Sequence, residues 1–193
     1  MREFPKESLF VFVLQMGTVQ FYTWTVFLPA YAHLVSGLPL AEGFAGSTIA
    51  MAVYCLAVPA FAALSDRIGR KPLLYGAVGG FFLFSFPLID ALHHASFGSF
   101  LLVDIIGILF ISMSNAVLAP VLCEVFPTRV RTSGIGLPYA VCSAIFGGTA
   151  PLVATAFIKA GINWGMPAYI MAICFISMLV FAIVPETRGK KLD

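Results

Sequence analysis

The chain has 193 residues, of which 60% are hydrophobic and 10% charged, with a formal net charge of +2 and a mean hydropathy of +0.98. A soluble domain averages about 45–50% apolar and about 25% charged residues; the charges here are too few to cover a water-exposed surface, and disorder and a coiled coil are excluded. The chain is expected to be solvated mainly by lipid, and at about 20 residues per spanning helix its length holds six helices with short connections.

Charges divide the sequence into those six spans. The first, residues 8–35, follows Arg2, Glu3, Lys6 and Glu7 and carries no formal charge. Residues 45–64 form the second and end at Ser65-Asp66-Arg67-Ile68-Gly69-Arg70-Lys71; residues 72–92 form the third and stop at His93-His94. The fourth, residues 97–122, carries Asp104 and ends at Glu124. The fifth, residues 133–158, follows Arg129-Val130-Arg131 and stops at Lys159; the sixth, residues 165–184, ends at Pro185-Glu186-Thr187-Arg188-Gly189-Lys190-Lys191. None shows the period-2 alternation of a barrel strand. Ala30-Tyr31-Ala32 mimics a signal-peptide cleavage site, but the apolar region before it is too long and acids flank its start. The reading is a single six-helix transmembrane domain.

Alternate connections differ sharply in basic residues. Ten Lys and Arg residues fall on one side, including Arg67, Arg70, Lys71, Arg129, Arg131 and Arg188, against Lys159 alone on the other. This bias places both termini in the cytoplasm, in a multi-pass protein of the plasma membrane.

Chemistry-bearing motifs are absent from this sequence. Cys55, Cys123, Cys142 and Cys174 are far apart and form no C-x-x-C, so they read as small buried hydrophobes rather than metal ligands. His33, His93 and His94 fall at helix ends, where interfacial polar residues are expected; a proton-sensing role is the alternative. No phosphate loop, metalloprotease helix or nucleophile elbow occurs. An enzyme, a cofactor, a metal and a nucleic-acid partner are therefore not expected.

The spans hold many of the 17 glycines and 12 prolines. Pro29, Pro59, Pro87, Pro120, Pro138, Pro151 and Pro167 would each bend or break a helix. The densest cluster is in the fifth span, where Gly147, Gly148 and Pro151 are candidates for helix flexing, as in the discontinuous helices of carriers; close packing through small residues, as in Gly76-x-x-x-Gly80, is the plainer reading. Asp104 is the acid well inside a span, about 10 Å from its outer end. A charged Asp at a helix centre costs about 2.5–3.5 kcal/mol, so it should face protein or water, or be protonated; it is the candidate proton or substrate site, with a snorkelling or locally paired residue near the outer face as the alternative. Gln20, Tyr22, Trp24, Tyr54, Asn115 and Tyr139 are candidate cavity residues for a small polar solute, with interhelical hydrogen bonding as the alternative. No Arg or Lys lies in mid-span to act as a fixed counter-ion.

Ala62-Ala63-Leu64-Ser65-Asp66-Arg67-Ile68-Gly69-Arg70-Lys71 resembles the signature of the major facilitator superfamily, G-x-L-x-D-R-x-G-R-[RK], with Ala62 in place of the first glycine. Glu124-Val125-Phe126-Pro127-Thr128-Arg129-Val130-Arg131 resembles the segment after the tenth helix in its sugar porters and metabolite:proton symporters, and Pro185-Glu186-Thr187-Arg188-Gly189 the tail after the twelfth. Ala144-Ile145-Phe146-Gly147-Gly148-Thr149-Ala150-Pro151 resembles the eleventh helix of the metabolite:proton symporters, and Phe21-Tyr22 with Leu28-Pro29-Ala30-Tyr31 the seventh. The resemblance implies helices seven to twelve, one half of a two-half fold, with the substrate site between the halves. It implies that the first, second, fourth and fifth spans line the cavity and that the third and sixth pack outside. Glu124, Arg129, Glu186 and Arg188 would join Asp66 and Arg70 in a cytoplasmic gate network of modest strength, with Arg67, Gly69, Lys71 and Arg131 in the same motifs. The expected activity is half of a secondary active, proton-coupled symporter for a small organic acid or osmolyte, inactive alone, whose partners are the lipid bilayer and an amino-terminal six-helix half. That half belongs either to the same full-length chain, of which this sequence is then a fragment, or to a separate subunit. Half of a sugar porter is the alternative. A channel lacks its filter here, and an intramembrane enzyme its buried catalytic groups.

Overall fold

The structure, a computed structural model, describes residues 11–12, 18–125 and 131–183. Its main helical rods are α1 (residues 18–36), α2 (Leu40–Ile68), α3 (Arg70–Asp90, prolonged by the turn Ala91–His94), α4 (Phe97–Val125), α5 (residues 131–159) and α6 (Gly165–Ile183), with no strand among the described residues. In hydrocarbon every backbone polar group must be satisfied within the chain, which a helix achieves by itself. Five rods, α2 to α6, are long and apolar enough to cross a membrane.

The helices outrun the apolar stretches. α2 takes Glu42 into its first turn and Arg67 into its last, charges that complement the partial positive and negative ends of the helix. The signature segment, expected as a connection between spans, is therefore mostly helix. α2 and α3 meet at Gly69 alone, with φ 105° and ψ 169°, a backbone region essentially confined to glycine. Gly69→Ala is expected to destabilise the chain by about 1–3 kcal/mol, measured as a lower unfolding midpoint in detergent. At the opposite end, Gly37 (φ 75°) and Gly161 (φ 68°) turn the chain out of α1 and α5.

α4 packs along both α2 and α3, α3 also packs on α6, and α1 contacts α2 and α5. Small residues set the approach of these helices. The Phe100 ring lies against Gly46, Phe110 against Gly80 and Met113 against Gly76, so the Gly76-x-x-x-Gly80 pair receives long side chains of α4 rather than another glycine face.

The prolines behave unequally. α2, α3 and α4 run without a break through Pro59, Pro87 and Pro120, so of the two expected effects, bending or breaking, breaking does not occur there. Pro138 also lies inside a continuous helical segment, and Pro167 sits in the first turn of α6, where its missing N–H costs no helical bond. Around Pro29 and Pro151 the helix instead widens: α1 adopts a π turn over Thr23–Phe27 and α5 another over Ser143–Gly147. In each case the carbonyl four residues before the proline, that of Thr25 or Gly147, belongs to the π turn. A proline offers that carbonyl no N–H and its ring crowds it; a wider turn relieves the clash, and such turns concentrate at functional sites.

Candidate functional site

The two π turns bring α1 and α5 together. A Cβ on Gly147 would come within 2.6 Å of the Tyr22 ring, so only glycine leaves room for this tyrosine. Gly148 has open space beside it. Tyr22 is 37% exposed, and Phe21 stands edge-on to it and to Tyr54 of α2, with centroids 5.9 and 6.3 Å apart. Asn115 Nδ2 of α4 donates to the Tyr54 hydroxyl at 3.0 Å. An aromatic and amide wall thus joins α1, α2, α4 and α5. Tyr139 of α5 is exposed and has no side-chain partner among the described residues.

Gln20 and Trp24 lie deeper. Gln20 is 4% exposed; its Nε2 donates to Cys174 Sγ of α6 at 3.1 Å, while Oε1 has no partner beside a small cavity that Ser114 and Asn115 also line. Trp24 is wholly buried, edge-on to Phe81 at 4.9 Å, with Nε1 donating to the Val103 carbonyl at 3.4 Å. A Cβ on Gly107 would fall 1.8 Å from that nitrogen. The structure places Trp24 in the packing between α1, α3 and α4, away from the exposed wall.

Asp104 is buried, 1% exposed. Ser47 Oγ of α2 donates to its Oδ2 at 2.7 Å, and Oδ1 has no partner. No sequence motif marks Ser47. Its signal is depth: Ser47 and Asp104 each lie seven residues past the first residue of a helix entering from the same end of the bundle.

At the opposite end, Arg70 Nη1 bonds Asp66 Oδ1 at 2.7 Å and also the Ser65 hydroxyl. Asp66 is 69% exposed and Arg70 only 13%, so the pair contributes at most about 1 kcal/mol. Arg67 is exposed and Lys71 half-buried. The side chains of Glu124, Arg129, Arg131, Glu186 and Arg188, the rest of the expected gate network, lie outside the described residues.

Residues 13–193 match the family model of the Major Facilitator Superfamily. The chain belongs to that superfamily. It is similar to the alpha-ketoglutarate permease of Escherichia coli K12, with 32% identity over 90% of this chain and 40% of the relative. The citrate-proton symporter of Salmonella typhi is 29% identical over 92% and 42%, and the ectoine/proline transporter of Corynebacterium glutamicum 30% over 89% and 34%. The chain spans about two-fifths of the length of these curated relatives. As expected from the resemblance, this superfamily chain, helical in its described spans, is a multi-pass membrane protein of a transporter family and not an enzyme.

Proposed function

We propose that this superfamily chain is the carboxyl-terminal half of a proton-coupled symporter for a small organic acid or osmolyte, and that it carries no solute by itself. It sits in the plasma membrane with both termini in the cytoplasm, as the distribution of Lys and Arg argues. The observation that supports the reading best is the wall of Tyr22, Tyr54 and Asn115, which draws on α1, α2 and α4 and abuts Gly147 of α5. A solute held there leaves its other side to a second wall, supplied by an amino-terminal half. No Arg or Lys stands in the middle of the described spans, so a carboxylate on the solute takes its counter-charge from that half. Asp104, buried with one free carboxylate oxygen, is the group that carries the proton, and Gly147, Gly148 and Pro151 let α5 flex.

Liposomes containing only this chain should take up no radiolabelled 2-oxoglutarate, citrate, proline or betaine above the lipid background. Liposomes in which it is joined to the amino-terminal half of a relative should take up one of them under an inward proton gradient. Competition by hexoses instead would favour a sugar porter. Uptake by the chain alone would overturn the half-carrier reading.

A further inference from the structure

A second cavity, of about 230 Å³, lies at the end of the bundle away from the Asp66–Arg70 joint, between α1, the last turn of α3, α5 and α6. Three polar side chains line it: Tyr31, His93 and Asn163. None of the three has a hydrogen-bond partner among the described residues, although Tyr31 is only 4% exposed. Each can donate, through a phenol, an imidazole N–H and an amide NH₂. Tyr31 is buried, His93 half-buried and Asn163 exposed, so three donors without a protein partner border one space, a set that suits an acceptor-rich ligand.

The rest of the lining is apolar, with Phe157, Ile158 and Met166 among it. The 160–164 connection is held in shape by its own backbone: Ile162 N–H donates to Phe157 O at 3.0 Å and Gly165 N–H to Ile162 O at 3.1 Å. Two exposed residues flank the lining in sequence: Lys159 next to Ile158, and Trp164, 64% exposed, next to Asn163. A tryptophan at a span end favours the headgroup layer, and a lysine there adds positive charge.

We propose that this cavity binds the phosphodiester headgroup of one phospholipid. The phosphate oxygens accept from Tyr31, His93 and Asn163, Lys159 adds charge, and the apolar wall takes the start of the acyl chains. The site requires only that the helices span a bilayer, and stands apart from the transport reading.

The test uses the chain purified in a maltoside detergent, with native mass spectrometry reading bound lipid. One dioleoylphosphatidylglycerol should be retained. The double variant Tyr31→Phe, Asn163→Leu should weaken retention at least about tenfold, as expected for lost hydrogen bonds to a charged group, with helical content unchanged. Val35→Trp, which fills the cavity from its apolar side and leaves the donors in place, should displace the lipid as well, and so decides the matter if the double variant misfolds. Dioleoylglycerol, which lacks the phosphate, should not compete. Retention unchanged in the variants, equal competition by dioleoylglycerol, or inorganic phosphate occupying the site with no lipid retained would each overturn the proposal.

Discussion

Replacing Asp104 by asparagine should abolish the proton movement that accompanies solute uptake while leaving the chain folded. The amide keeps an acceptor for the Ser47 hydroxyl, which now donates to Oδ2 at 2.7 Å, and fills the same space. What it removes is the group that can gain and lose a proton. The carboxylate's other oxygen has no partner, so no second hydrogen bond is lost with it. Stability should change by less than about 1 kcal/mol, one ordinary hydrogen bond at most. Asp104→Leu is the contrasting variant. It strands the Ser47 hydroxyl between α2 and α4, which costs about 1–3 kcal/mol, and its unfolding midpoint should fall. The measurement is alkalinisation outside liposomes holding the chain joined to an amino-terminal half, followed with a pH-sensitive dye while solute enters. Proton movement in the asparagine variant equal to that of the parent would remove Asp104 from the proton path.

The second large effect is expected at Gly107. Its hydrogen faces the indole of Trp24, and a methyl group there would sit 1.8 Å from Nε1, with two ring carbons at 2.3 and 2.4 Å. The indole cannot retreat easily, because it is wholly buried and packed on Phe81. Gly107→Ala should therefore push α1 away from α4 and break the bond from Trp24 to the Val103 carbonyl. Overpacking of this kind costs about 1–3 kcal/mol, occasionally more. The chain has two tryptophans, and Trp164 is exposed. In a Trp164→Phe background the fluorescence of Trp24 alone reports the site, and Gly107→Ala should shift it to the red and lower the unfolding midpoint. Unchanged emission would show that the neighbouring helices absorb the methyl group.

Much of the fold was legible in the sequence because its causes are compositional. Apolar stretches of spanning length bounded by charges lead to helices, whatever their detailed packing. Helix ends were less legible: Glu42 and Arg67 close an apolar stretch yet prolong a helix, since each charge suits the dipole at its end. Prolines were legible only as places of disturbance. Pro29 and Pro151 coincide with π turns whereas Pro59 and Pro120 do not, a difference invisible in a single residue. Asp104 stood out because an acid in a span is costly, but Ser47 carries no such mark and emerges only when two helices are set side by side. Tyr54 and Asn115 were singled out separately for polarity, and their hydrogen bond needs α2 against α4. Trp24 and Gln20 show the limit of reading polarity alone. Trp24 spends its one donor inside the packing, on the Val103 carbonyl, whereas Gln20 gives Nε2 to the Cys174 thiol and keeps Oε1 unpaired beside a cavity.

The π turns have a consequence for chain length. A π turn holds one residue more than the α-helix around it needs, and one residue in an α-helix is a rotation of about 100°. Everything beyond Phe27 in α1, including the buried Leu28, Tyr31 and Ala32, therefore faces its neighbours only because that surplus residue is present. The same holds beyond Gly147 for Ala150 and Ala154. Side chains in Thr23–Phe27 and Ser143–Gly147 can vary in kind, whereas a one-residue deletion in either would turn the remainder of the helix by more than a quarter of a circle and aim its packing face elsewhere. In both helices the number of residues is as much a part of the fold as their identity.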